Sequence, residues 1–210
     1  MRKSDSPKPD YSLETLCCEK GFSAIAGVDE AGRGPWAGPV VAAAVILNQD
    51  AIPKGLNDSK KLSEQRREEL FDVISETSHV GIGIADEAKI DDLNILHASL
   101  AAMTDAVDNL PKPADFALID GNKLAQLPCP GQTIVKGDSR SLSIAAASII
   151  AKVTRDQMMR DLAKIYPGYG FERHKGYGTA QHQSALAKLG PCPHHRKSFA
   201  PIAALLAPTR

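Results

Sequence analysis

AIAGVDEAGRGPWAGPVVAAAVIL, residues 24–47, decides the fold class. Ala24–Val28 is a short apolar run with the character of a buried strand, and Val40–Leu47 is a longer run of Val and Ala with the same character. Between them Gly32, Gly34, Pro35, Gly38 and Pro39 punctuate a turn. Two strands joined by so short a connection pair antiparallel. Asp29 and Glu30 end the first strand, and Arg33 stands between two glycines just beyond them. Glycines there let a backbone approach a ligand closely, and an arginine there can meet a phosphate. A tight connection with a solvated Arg is the plainer alternative.

Outward from this stretch, Ser63 caps a helix running to about Glu76, and Val80–Ala85 reads as a third strand. Leu93, Leu96, Leu100, Met103, Val107 and Leu110 recur at spacings of three and four, the stripe of an amphipathic helix that Asp91 or Asp92 would cap. Phe116–Ile119 and Thr133–Val135 are a fourth and a fifth strand. A helix from about Ser141 to Ile165 has small side chains in its first half, suited to lying close on a neighbouring backbone, and Pro167-Gly168-Tyr169-Gly170 stops it. A helix over Thr179–Leu189 and an apolar tail, Phe199–Leu206, follow. This order implies a mixed sheet covered by helices, an α/β domain over residues 21–166. A helical region over 167–210 follows it, and residues 1–20 precede it as a loose polar extension.

Composition narrows the class. Hydrophobic residues make up 43% and charged residues 24%, which excludes disordered and collagen-like chains. The uncharged stretch Gly34–Gln49 is 16 residues with two prolines and two glycines, short of the roughly 20 apolar residues a spanning helix needs. Met1-Arg2-Lys3 leads into polar residues rather than an apolar core, so no secretory signal is expected. The four cysteines form no disulfide framework, and the expected setting is the reducing cytoplasm. Net charge is zero but divided: residues 1–105 carry 11 Lys and Arg against 18 Asp and Glu, and residues 106–210 carry 14 against 7. Two solvated surfaces, or a basic surface for a polyanion beside an acidic site, both fit that division.

Three acidic positions lie at strand ends: Asp29-Glu30, Asp120 in LIDGN, and Asp138 in VKGD. Carboxylates at the ends of buried strands are costly unless a cation meets them. Each alone reads as a turn or cap residue, Asp120 before Gly121 especially. Together, with few histidines nearby, they suit a hard cation such as Mg²⁺ or Mn²⁺. Neighbours in a strand point to opposite faces, so Asp29 and Glu30 serve one site only if the strand ends there or if one of them contributes through its backbone. Lys60, Lys136, Arg140, Lys152, Arg155, Lys175 and Arg196 are candidate phosphate contacts, though most such residues only solvate a surface. Cys192-Pro193-His194-His195 lacks a second ligand pair at zinc-like spacing.

The chain resembles bacterial ribonuclease HII in GVDEAGRGPWAGPVVAAAVIL (27–47), LNDSKKLS (56–63), LIDGN (118–122), VKGDSRSLSIAAASIIAKVTRD (135–156), HKGYGT (174–179) and HRKSF (195–199). Trp36 departs from the pattern, which more often has an aliphatic residue there, at a place expected not to touch the chemistry. The resemblance implies a ribonuclease H-like fold, a five-stranded mixed sheet flanked by helices with a small C-terminal helical domain. It implies that Asp29, Glu30, Asp120 and Asp138 bind two divalent ions, Mg²⁺ or Mn²⁺; Asp29, at the strand end in the most specific motif, is the expected bridging ligand, and the sequence does not divide the other three between the ions. It further implies that Gly32, Arg33 and Gly34 read a ribonucleotide and that Tyr177 stacks on the following sugar; Lys60, from the phosphate candidates above, is the further expected substrate contact. A Tyr that only braces its loop is the alternative for Tyr177. The implied activity is cleavage of the RNA strand of RNA–DNA hybrids and of duplex DNA 5′ of single ribonucleotides. No membrane partner is expected, a monomer is, and a replication-clamp contact has no convincing motif behind it. The rivals are a junction resolvase of the same fold and a nucleic-acid-binding protein without catalysis.

Overall fold

The computed structural model describes residues 8–207. Five strands form one sheet: β1 (Ile25–Ala31), β2 (Val40–Ile46), β3 (His79–Ala85), β4 (Phe116–Asp120) and β5 (Gly131–Ile134), in the order β3-β2-β1-β4-β5. β1 runs antiparallel to β2 and parallel to β4, and β4 runs parallel to β5, so the sheet is mixed as expected.

β2 is buried along its whole length and sorts its side chains with period two. Val40, Ala42, Ala44 and Ile46 face α3 (Glu87–Asp108), whereas Ala43, Val45 and Leu47 face α2 (Glu64–Thr77) and α4 (Leu142–Ile165). Small residues bring α4 down onto the sheet. A Cβ on Gly27 would fall 2.0 Å from the Ser143 carbonyl carbon, so the first turn of α4 rests directly on β1.

Beyond Tyr166 the chain forms α5 (Phe171–His174), α6 (Ala180–Leu189) and α7 (Ala200–Leu206). Their apolar residues Phe171, Leu186 and Ile202 cluster with Met159 and Leu162 of α4 and with Ala37 from the β1–β2 turn. The turn is thus gripped between the sheet and the C-terminal segment.

Several expectations are corrected. Residues 12–19, expected to be loose, form α1 (Ser12–Glu19); its buried Glu14 accepts hydrogen bonds from Ser141 Oγ at 2.6 Å and the Ser143 N–H at 2.9 Å. The first seven residues of that extension lie outside the described residues. α3 starts at Glu87 with Asp86 as its cap, not Asp91 or Asp92. Asp91 instead accepts from the Lys197 and Ser198 N–H groups and so ties down the C-terminal segment. Asn94 breaks α3 with φ 65°, and its side chain recaps the helix by accepting from the Leu96 and His97 N–H groups. β5 ends at Ile134, and Val135 is 60% exposed.

Candidate active site

β1, β4 and β5 are neighbours with parallel directions, so their C-terminal ends share one edge of the sheet. That edge brings the predicted carboxylates together. The last β1–β4 pair is Val28↔Ile119, and Asp29, Glu30 and Asp120 come directly after it. Asp138 sits in the turn after β5, where the Gly137 N–H donates to Asp120 Oδ1 at 2.6 Å. Asp29 and Glu30 leave opposite faces of β1, as the pleat demands. They meet one site because β4 has ended beside them. Glu30 borders two adjoining clefts, of about 410 Å³ on the side of Asp29, Lys60 and Tyr177 and about 270 Å³ on the side of Asp120 and Asn122.

The electrostatics of this edge are those of carboxylates held against their preference. Asp29 is only 6% exposed; burial, then the charges of Glu30, Asp120 and Asp138, push its pKa well above the usual carboxylate range. Burial likewise raises Glu30, with Arg33 opposing from 3.4 Å. Burial, then Asp58 and Asp120, raises Asp138. Lys60 rides a short 3-10 turn that Asp58 caps through the Lys60 N–H. Burial disfavours its charge, but Asp29, Asp58, Asp138 and Asp120 outweigh this and hold it protonated.

Donors of this kind fit hard divalent cations: oxygen ligands only, mutually repelling, and strained for want of positive charge. Among the described residues no three His, Cys, Asp or Glu side chains are already closed around one ion position.

The turn beside the carboxylates is built for close approach. Gly32 has φ 102°, and a Cβ there would fall 2.1 Å from Arg155 Nε. Gly34 has no such constraint: a Cβ would lie 3.5 Å from Tyr177 Cε1, an ordinary contact. The fold therefore tolerates a side chain at Gly34, and what glycine leaves clear there is the cleft itself. Tyr177 is 46% exposed with its main chain tied on both sides. Its N–H donates to the His174 carbonyl, and its carbonyl accepts from the Thr179 N–H and from His182 Nδ1 at 3.0 Å. Burial pulls the His182 pKa down to about 4 and that of His195 below its ordinary value, so both are neutral at neutral pH. The proton on His182 Nδ1 leaves its Nε2 to accept from His195 Nε2 at 2.9 Å, and His195 Nδ1 accepts the Cys192 N–H.

Two expected phosphate contacts are corrected. Arg155 and Arg196 are 0% exposed and donate to main-chain carbonyls of the turn and its surroundings. Arg155 reaches Pro39, Lys175 and Ala37; Arg196 reaches Gly32, Arg33, Gly38 and Pro39. Lys136 and Arg140 are exposed, and Lys152 lines the larger cleft while paired with Asp156 at 2.7 Å. Sequence reasoning also passed over Asp58, although it stands in the same segment as Lys60. Trp36 is nearer the site than expected: its ring lies against Gly178, where a Cβ would fall 2.1 Å from Trp36 Cζ2, and its N–H donates to the Gly176 carbonyl. It thereby braces the loop that carries Tyr177.

Comparison with known proteins gives the family and the fold. Residues 26–202 match the family model described as Ribonuclease HII. The chain is 57% identical to the ribonuclease HII of Geobacter metallireducens over 199 residues, 94% of this chain and 93% of that one. The ribonuclease H2 of Pyrococcus horikoshii OT3 superposes with a TM-score of 0.74 at 24% identity, covering 87% of this chain and 97% of that one. The ribonuclease HII of Archaeoglobus fulgidus, solved in complex with PCNA, superposes with a TM-score of 0.70 at 26% identity, covering 83% and 94%.

Proposed function

Because the chain belongs to the ribonuclease HII family, endoribonucleases of the ribonuclease H type, we propose that it cuts the RNA strand of RNA–DNA hybrids and nicks duplex DNA 5′ of a single embedded ribonucleotide. One observation carries this reading. Asp29 and Glu30, a turn with clear space at Gly34, Lys60 and the exposed ring of Tyr177 line a single cleft; Asp120 lines the cleft adjoining it, and the charges of Asp120 and Asp138 act on Asp29.

Two divalent cations held by Asp29, Glu30, Asp120 and Asp138 would supply the charge that activates a water and stabilises the leaving oxygen. The remaining work falls to the chain. Asp29 is the proposed bridge: the Glu30 N–H donates to its Oδ1 at 2.7 Å, which fixes the carboxylate plane and leaves Oδ2 free of that bond. The protonated Lys60 offers a point charge to a phosphate oxygen. The 32–34 turn offers backbone donors to the 2′-hydroxyl, the group that separates RNA from DNA. The Tyr177 ring, which a side chain placed at Gly34 would touch, offers a flat face to the sugar that follows. A ribose seated this way lies downstream of the scissile phosphate. Water attacks phosphorus, the O3′–P bond breaks, and the products are a 3′-hydroxyl and a 5′-phosphate.

The test is cleavage of a duplex holding one ribonucleotide beside an all-DNA four-way junction, each with Mg²⁺ and with Mn²⁺. Nicking of the first and not the second is expected. Cutting of the junction alone would move the reading to a resolvase, and binding without turnover on both would remove catalysis from it.

A further inference from the structure

Arg196 is a buried cation on which the acids Glu87 and Asp91 act only from a distance. Among the described residues it makes no ion pair, and burial, with the neighbouring charge of Arg155, pulls its pKa down to about 9. What holds it is a set of main-chain oxygens. Nη1 donates to the Arg33 carbonyl at 3.0 Å, and Nη2 to the Gly32 carbonyl at 2.6 Å and the Gly38 carbonyl at 2.8 Å. Its Nε donates to the Gly38 carbonyl at 2.9 Å, and the ring of Phe199 lies 5.1 Å from the guanidinium carbon. Burying a guanidinium this way is costly, and a strand connection could be closed without it.

The main chain aims Arg196 before its side chain acts. Ala37 and His195 form an antiparallel bridge, the Gly38 N–H donates to the His194 carbonyl, and the Arg196 N–H donates to the Trp36 carbonyl. The guanidinium is thereby delivered behind the turn, on the side away from the cleft that Gly32, Arg33 and Gly34 line.

In a planar trans peptide the C=O and N–H point in opposite directions. Holding the Gly32 carbonyl inward turns the Arg33 N–H outward, and holding the Arg33 carbonyl inward turns the Gly34 N–H outward. Among the described residues neither of these N–H groups donates to a protein acceptor. We infer that Arg196 is a positioning residue for ribonucleotide recognition: from behind the turn it locks two consecutive peptide planes so that the Arg33 and Gly34 N–H groups face the cleft as a fixed pair of donors for the 2′-hydroxyl. This rests on the reading that the 32–34 turn recognises the ribonucleotide. A planar fork of five N–H donors on three nitrogens spans carbonyls that lie apart; a lysine ammonium has three donors on one nitrogen and does not reproduce that spread.

The experiment compares wild type with Arg196→Lys. Equilibrium binding is measured without metal to a duplex carrying one ribonucleotide and to the same duplex in all-deoxy form, with the Arg33 and Gly34 amide resonances followed by NMR. In the variant the ribo-to-deoxy affinity ratio should fall about tenfold, the worth of one hydrogen bond no longer made. Affinity for the all-deoxy duplex should stay within about twofold, because the charge remains. Both amide resonances should shift in the free variant. A folded Arg196→Lys with an unchanged ratio overturns the inference while leaving the turn's role standing. A wild type that binds both duplexes equally overturns the turn's role and the inference with it. Should Arg196→Lys fail to fold, the Arg33 and Gly34 amide resonances of the wild type are compared on the two duplexes: a shift on the ribonucleotide duplex alone is expected, and equal shifts on both overturn the inference.

Discussion

Asp29 lies in a place that opposes its own charge, and two measurements follow from that. Without metal its pKa stands well above the usual carboxylate range. The folded protein therefore holds that proton more tightly than the unfolded chain, and the metal-free fold loses stability as pH rises from the ordinary carboxylate range through the folded pKa. Asp29→Asn removes this loss. At pH 7.5 the metal-free variant should melt a few degrees above wild type, since about 1 kcal/mol moves the midpoint by roughly 2–4 °C at this size. The gap should close as pH falls toward 4, and turnover should drop by at least about a hundredfold in Mg²⁺. Equal melting curves at every pH would contradict the burial argument. At Tyr177, Ala should lower cleavage at single ribonucleotides more than it lowers duplex binding, while Phe, which keeps the flat face, should retain most activity. Equal losses on a single-ribonucleotide duplex and a uniform hybrid, with a lowered midpoint, would assign Tyr177 to loop packing. The gathering of Asp29, Glu30, Asp120 and Asp138 at one sheet edge was legible from their places at strand ends, and Tyr177 was singled out by the resemblance of its motif. The roles of Arg155 and Arg196 were not legible: the sequence alone makes an arginine a surface residue, and only the folded turn supplies the carbonyls that bury it.

At the scale of elements, α1 and α4 depend on each other. Glu14 accepts from Ser141 and Ser143 at the start of α4, three and five residues after Asp138. Glu14→Ala leaves a buried hydroxyl and a buried N–H without that partner, at about 1–3 kcal/mol. The midpoint should fall by several degrees, and Mg²⁺ should be needed at higher concentration for half-maximal rate. An unchanged midpoint would mean that α1 is dispensable. The strands and their antiparallel turn were legible from continuous apolar runs, and α4 from its small residues. The start of α3 was not legible, because Asp91, which reads as a cap, is used by Lys197 and Ser198 more than 100 residues away. Nor was α1, whose anchor is a single glutamate meeting residues far along the chain.

At the scale of the molecule, the charge division acquires a place. The acidic half supplies Asp29 and Glu30, and the basic half supplies Asp120 and Asp138 together with Tyr177; residues 121–210 carry 13 Lys and Arg against 4 Asp and Glu. Duplex binding should weaken steeply with salt, each neutralised phosphate adding about 0.9 to the slope of log K against log salt; a slope near zero would contradict a basic binding surface. The sheet order and the C-terminal grip on the turn lay beyond the sequence, since both are set by pairings between distant segments. The central claim is that these parts meet to cut on the 5′ side of a ribose with water as the nucleophile. It is tested most directly by mapping both ends of the nick in a duplex with one ribonucleotide. A 3′-hydroxyl upstream and a 5′-phosphate on the ribonucleotide are predicted. A cut on the 3′ side of the ribonucleotide leaving a 2′,3′-cyclic phosphate, the mark of attack by the 2′-hydroxyl itself, would contradict the account.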